Sequence, residues 1–230
     1  MKKTLKLMVM LLCVAATSAL SSCSKDPIDA DNEIGNYTLG NYHPTKKIKK
    51  VVNKLNISDD VYEFTWEGNN LKTIRDNSMK ETLEYIYSNN GYISMIIKKE
   101  DGRIHADTTI IRYAKNSVTV DWLVYPFDDN GILTSLRDYP VVMQNGNVVS
   151  YKGESFSHDT KKNPFKNLLF PYAWQNFSIF FGLEEYSEFP IISTNNVNDY
   201  GYGPSTIEYD GDYPIRISNS EWNCIEIEYY

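Results

Sequence analysis

Tyr62-Glu63-Phe64-Thr65-Trp66-Glu67-Gly68-Asn69-Asn70-Leu71 is the stretch that decides how this chain folds. Tyr62, Phe64 and Trp66 alternate with Glu63, Thr65 and Glu67, the two-residue period of a strand with one face buried and the other in water. Gly68-Asn69-Asn70 then supplies residues that tolerate positive φ, as a tight hairpin turn requires. The pattern recurs in both directions. Val118, Val120, Trp122 and Val124 alternate against Thr119 and Asp121, which predicts another half-buried strand. Asn90-Gly91, Asp101-Gly102, Asn130-Gly131, Asn145-Gly146 and Asp210-Gly211 punctuate runs of β-branched and aromatic residues. Helical spacing is absent almost everywhere. The expectation is an all-β domain, an antiparallel meander of roughly ten to twelve strands.

A degenerate internal repeat sharpens this. Phe64, Trp66, Leu71 and Ile74 stand at offsets 0, 2, 7 and 10, and Tyr85, Tyr87, Tyr92 and Met95 repeat those offsets. Ile207, Tyr209, Pro214 and Ile217 match again; Tyr125, Phe127 and Ile132 match in part. Each unit is a strand, a polar turn and a return strand. Repeating it predicts a long curved sheet that rolls into a barrel-like shape to hide its edges. The exception is the stretch from Asn163 to Leu183. Asn163 as cap and Pro164 at the first helical position open a short helix. The aromatic run from Tyr172 to Phe181 is too apolar for water, so a short helix and plug segment is expected near 164–182.

Chemistry is harder to find. His43, His105 and His158 lie far apart and have no companions at metal-ligand spacing, so no metal or cofactor is expected. No serine stands in a nucleophile-elbow pattern. Gly201-Tyr202-Gly203 lacks the strand-to-helix setting of a phosphate cradle. Asp29, Asp31 and Glu33 have calcium-loop spacing, but Gly40 stands where the bidentate glutamate belongs. The acid pairs Asp59-Asp60, Asp128-Asp129 and Glu184-Glu185 are turn residues that also have the composition of a glycosidase's two carboxylates. Tyrosine outnumbers phenylalanine 18 to 9. Its flat face and hydroxyl suit sugar and protein surfaces, and Tyr200, Tyr202, Tyr209 and Tyr213 are the candidate binding rim. The other reading of those tyrosines is filling for both faces of a curved sheet.

The amino end carries an address. Lys2, Lys3 and Lys6 precede an apolar run from Leu7 through Ala16, and small residues lead to Leu20-Ser21-Ser22-Cys23. About ten apolar residues are too few to span a bilayer, which needs about 20. Residues 1–22 therefore read as a cleaved signal. Residues 23–42, polar and acidic, read as a flexible tether, and 43–230 as one β domain. Loss of three lysines with the signal lowers the 23 basic side chains to 20 against 30 acidic ones, net −10. That balance argues against nucleic acid as a partner. Cys13 leaves with the signal, and Cys224 reads as a small strand residue.

Several of these features carry resemblances. Leu20-Ser21-Ser22-Cys23 resembles a bacterial lipobox, which implies that Cys23 becomes the first mature residue, bears acyl chains and ties the chain to a membrane. Acidic residues after that cysteine are similar to a surface-export signal of Bacteroides-type lipoproteins; a plain flexible tether is the other reading. Asp107-Thr108-Thr109 is similar to an O-glycosylation acceptor of the same group, with Thr108 as the modified residue. The lipobox and repeated hairpins are joined by Phe156-Ser157-His158-Asp159-Thr160-Lys161-Lys162-Asn163-Pro164-Phe165, Ser193-Thr194-Asn195-Asn196-Val197 and Tyr209-Asp210-Gly211-Asp212-Tyr213-Pro214. Together they resemble the Bacteroides-type lipoproteins carrying domain of unknown function 4595, with a porin-like fold, over roughly 45–230. The hairpins are also similar to tyrosine-aspartate repeats. Here His158 replaces the tyrosine that usually precedes the Asp-x-Lys-x-Asn-Pro-Phe block. The resemblance implies an outer-membrane address, on the periplasmic or cell-surface side, and no established activity. The expected role is a non-catalytic binding or accessory domain for a glycan or protein. A hydrolase using dispersed carboxylates and a purely structural envelope protein are the alternatives.

Overall fold

The computed structural model describes residues 46–54, 59–136, 139–166, 193–198, 204–218 and 224–230. The signal, Cys23, the acidic tether, Tyr200, Tyr202 and most of the expected plug lie outside these residues. The described residues are all-β, as the alternation predicts. Eight strands run in order through the first half: β1 (Ile48–Lys54), β2 (Asp59–Glu67), β3 (Asn70–Asp76), β4 (Glu81–Tyr87), β5 (Ile93–Glu100), β6 (Asp107–Ala114), β7 (Ser117–Val120) and β8 (Leu123–Pro126). Four short strands follow: β9 (Ser135–Leu136), β10 (Tyr139–Gln144), β11 (Asn147–Tyr151) and β12 (Glu154–Ser155). Next come β13 (His158–Lys162) and β14 (Asn195–Val197). The chain ends in β15 (Thr206–Asp210), β16 (Tyr213–Ser218) and β17 (Cys224–Tyr229).

Eleven of these strands form one antiparallel sheet in the order β15-β16-β17-β1-β2-β3-β4-β5-β6-β7-β8. The last strand of the chain pairs with the first, Val51 opposite Ile227. The final hairpins therefore extend the meander on its amino-terminal side. Among the described residues β8 and β15 are the two edges, so strand pairing there leaves an open sheet rather than a closed barrel. A four-stranded sheet, β12-β11-β10-β9, continues beyond β8 through a single bridge between Phe127 and Leu133. Val141, Val148, Tyr151, Phe156 and Val197 from outside the large sheet join its Phe64, Ile74, Ile96 and Ile111 in one buried cluster. Each such side chain contributes roughly 1.5–3 kcal/mol by leaving water.

The sequence repeat is a register. Phe64 lies opposite Ile74 and Trp66 opposite Leu71; Ile207 lies opposite Ile217 and Tyr209 opposite Pro214. Offsets 0 and 10, and 2 and 7, are thus cross-strand partners. In both hairpins the register shifts just before the second aromatic position, between Thr65 and Trp66 and between Glu208 and Tyr209. A bulge there bends the ladder at the same step of each unit. The Tyr85 unit departs from the offsets read in sequence. Its turn is one residue longer, so Tyr85 faces Ile96 and Tyr87 faces Ile93, in place of Met95 and Tyr92. The Tyr125 unit shares the longer turn: Leu133 is buried while Ile132 is 43 % exposed. In both long turns the glycine N–H donates three residues back, Gly91 to Ser88 and Gly131 to Asp128, at φ of 81° and 74°. That conformation is why Asn-Gly stands at both places.

One expected strand is corrected. Val118 and Val120 are buried, but the chain turns at Asp121-Trp122, with Asp121 at φ 53°. The turn moves Val124 opposite Thr119 and gives the inner face to Tyr125. Trp122 is 77 % and Val124 60 % exposed, where unbroken alternation would have buried both. The helix expected from residue 164 begins, among the described residues, only as a turn. Asn163 Oδ1 accepts the Phe165 N–H at 2.9 Å, as a cap does, and Phe165 is buried.

Candidate functional site

Four aromatics of the large sheet, two of them at the second position of the repeat, do more than fill space. Trp66 Nε1–H, on β2, donates to the Ile48 carbonyl on β1 at 2.8 Å. Tyr87 on β4 donates its hydroxyl to Leu71 O on β3 at 2.9 Å. Tyr113 on β6 does the same to Ile93 O on β5 at 3.0 Å, and Tyr229 on β17 to Pro214 O on β16 at 2.8 Å. Each aromatic reaches over the preceding strand and ties one hairpin to the next. Burial raises the Tyr87 hydroxyl to about 12, so it stays a donor throughout the physiological range. The abundance of tyrosine over phenylalanine has a structural reason here: the ties need a polar tip.

At Tyr209 no preceding strand of the sheet is found among the described residues, where β15 is an edge. Its hydroxyl donates instead to Asp159 Oδ2, on β13. Burial, with the adjacent Asp159 carboxylate, holds Tyr209 far above the ordinary phenol range. Asp159 Oδ2 also accepts Asn196 Nδ2–H at 3.1 Å, while Oδ1 accepts the backbone N–H groups of Lys161 at 2.9 Å and Asn196 at 3.1 Å. A carboxylate offers about four acceptor positions. Four donors fill them, so Asp159 is built to hold rather than to take up protons from a substrate.

Around Asp159 the segment Ser193–Asn198 lies like a strap, clasped on both sides. Asn195 N–H donates to Asn147 Oδ1 at 2.9 Å, and Asn147 Nδ2–H returns to Asn195 Oδ1 at 3.0 Å. Asn163 Nδ2–H donates to the Ser193 carbonyl at 2.9 Å. Ser193 Oγ accepts Val148 N–H at 3.2 Å and lies 3.0 Å from His158 Nε2. Thr194 N–H and Oγ1–H both donate to Gly146 O, and Lys166 Nζ donates to Thr194 Oγ1 at 2.6 Å. Burial lowers the Lys166 ammonium and the His158 imidazole below their ordinary values, the latter against the opposing pull of Asp159. Gly146 is required at this contact: φ is 78°, and a Cβ there would run into Thr194 Oγ1. Ser193, Asn163 and Asn196 are all buried, so their hydrogen bonds are obligatory.

Of the expected binding rim, only two members are described. Tyr213 is corrected: it is 4 % exposed, packed edge-on against Tyr229 at 5.6 Å under the Lys46 and Lys162 ammonium groups. Tyr209, half-buried, is committed to Asp159. The Tyr213 ring is closed to a ligand, and the Tyr209 hydroxyl is already engaged. Thr108 lies exposed on β6, beside buried Thr109. His105 is exposed in the β5–β6 loop, away from the Ser193 contact that holds His158. Asp59 pairs with Lys54, and Asp128 Oδ1 accepts the Asn130 and Ile132 N–H groups of its own turn. No group of three or more histidine, cysteine or acidic side chains that could hold a metal is found among the described residues. Both blocks of the clasp stand out in the sequence, but nothing in either one by itself assigns it a role. Their asparagines, unusual within strands, were the signal. Sequence alternation also misses Trp122 as a surface residue. Scanned against the models of known families, the chain matches none, and no curated protein matches it.

Proposed function

We propose that this chain is a lipid-anchored accessory domain of the bacterial outer membrane, with Cys23 as its acylated first mature residue. The observation that carries the reading is the basic, apolar and small-residue order ending in Leu20-Ser21-Ser22-Cys23. The Bacteroides-type lipoproteins that its hairpins and Asn163-Pro164-Phe165 block resemble are the proposed relatives, and a surface glycan or protein is the proposed ligand. For that ligand the tyrosine ties are unsuited, since their hydroxyls are spent inside the fold. The exposed pair Trp122 and Val124, beside Thr119, is the better platform, because an indole face stacks on sugar rings and protein surfaces alike.

Replacing Cys23 with alanine tests the anchor. The wild-type protein is expected in the membrane fraction with the added mass of acyl chains, and the variant in the soluble fraction at the bare polypeptide mass. Unchanged fractionation and mass would refute the anchoring. A glycan panel probed with the 24–230 fragment and its Trp122→Ala variant tests the platform. Binding that survives the substitution undiminished would refute it.

A further inference from the structure

Ser193 is wholly buried and joins three parts of the fold. Its carbonyl receives Asn163, its Oγ receives the Val148 N–H of β11, and the same Oγ meets His158 Nε2 of β13. A hydroxyl has one hydrogen to give. With Val148 donating to Oγ, the arrangement that uses that hydrogen points it to His158 Nε2, which then accepts as a neutral imidazole with its proton on Nδ1. An imidazolium would turn Nε2–H toward Oγ. Ser193 would then accept twice, and its own hydrogen, on a wholly buried residue, would lose its acceptor, at a cost comparable to a lost buried hydrogen bond.

The strap is connected onward. Asn196, three residues after Ser193, supplies two of the four donors on Asp159, and Asp159 receives Tyr209 at the β15 edge. At its far end Asn198 O accepts Ser205 N–H, at the entrance to β15. We propose that Ser193–Asn198 is an acid-released strap: proton uptake by His158 reverses its bond to Ser193, strands the serine hydrogen and loosens the strap and its links to β15. Both burial and the hydrogen-bond geometry favour the neutral ring. Asp159, next along β13, is the charged group that opposes them. Among the described residues, the contact from the strap, Ser193, is uncharged, its β11 partner is the Val148 backbone N–H, and Lys161 is drawn away to Asp212. Because the folded ring binds its proton less readily than the unfolded one, the strap is fully held above the ordinary imidazole value of 6.5, weakens below it, and is lost as pH falls through the lower value of the folded ring.

Amide hydrogen exchange on the full chain tests this, at about pH 7.5 and about pH 5.5, either side of the ordinary imidazole value. After correction for intrinsic rates, protection of Asn195, Asn196 and Val197 is expected to fall several-fold at the lower pH, while Ile96 in β5 is unchanged. In His158→Gln, neutral at every pH and still able to accept from Ser193, the pH difference should vanish. Equal protection at both values would overturn the proposal, as would a loss shared by Ile96, or a difference that persists in the variant. A titration of the ring resonances of His158 gives an independent reading: a midpoint at or above the ordinary value would also overturn it.

Discussion

Between Ile48 and Pro126 the chain buries Phe64, Ile74, Tyr85, Ile96 and Ile111 on one face of an antiparallel ladder, and the buried polar side chains among its described residues are Asn53, Asp76 and Thr109. Between Asn147 and Asn196 the buried groups include Asn147, Asn163, Ser193 and Asn196, and the contacts that matter run between side chains and backbone. The first region is held by area removed from water, which is non-directional and forgiving of detail. The second is held by donors and acceptors that must meet, and any one left unpaired costs more than the bond itself contributes. The difference teaches where the molecule is robust and where it can be switched. Loss of one apolar side chain weakens the sheet without redirecting it; loss of one acceptor undoes the clasp.

The contrast breaks most severely at the core. Phe64→Ala removes a ring from the centre of the large sheet and is expected to cost about 3–5 kcal/mol in urea unfolding. The loss should appear equally by fluorescence and by circular dichroism, since the sheet and the strap share one core. Asp159→Ala should cost less, about 2–3 kcal/mol, by stranding four donors. Its effect should concentrate in the strap, where hydrogen exchange at Asn195–Val197 accelerates more than at Ile93–Glu100. Equal acceleration in both would erase the proposed division.

How far the sequence foretold this follows the same line. Two-residue alternation reports burial directly, so the strands around Phe64, Tyr85 and Ile207 are legible, and in the Phe64 and Ile207 units the repeat offsets are cross-strand partners. One extra turn residue, Tyr92 or Ile132, shifts the return strand by one, and offsets alone cannot reveal that. The turn at Asp121-Trp122 was hidden because it interrupts an alternation that continues on the far side. The clasp was illegible for another reason. Asn147, Asp159, Asn196 and Tyr209 are distant in sequence, and only the fold supplies their partners. Likewise Tyr213 resembles a binding residue in composition, and only its neighbours Tyr229 and Lys46 show that it is packing.

The smallest expected effect sharpens the comparison from the sheet's side. Asp76 lies buried at the end of β3, its Oδ1 accepting the Ser78 and Met79 N–H groups. Burial, reinforced by the nearby Asp60 and Glu81 charges, raises its carboxyl above the ordinary 3.8. The folded state therefore keeps that proton longer than the unfolded state, and ionisation costs stability as pH rises through the folded value. Asp76→Asn retains both turn bonds through Oδ1 and removes the charge. The variant is expected to be slightly more stable than the wild type at neutral pH, with the advantage gone below the ordinary carboxyl value. A wild type that is the more stable at neutral pH would contradict this.

The most direct test of the account is a double-mutant cycle between Asp159→Ala and Tyr209→Phe, measured by urea unfolding of the two single variants, the double variant and the wild type. If the hydroxyl of Tyr209 fastens the strap to the open edge of the sheet, the two losses overlap and the coupling is about 1 kcal/mol or more. Losses that simply add would mean that the clasp and the sheet are joined elsewhere.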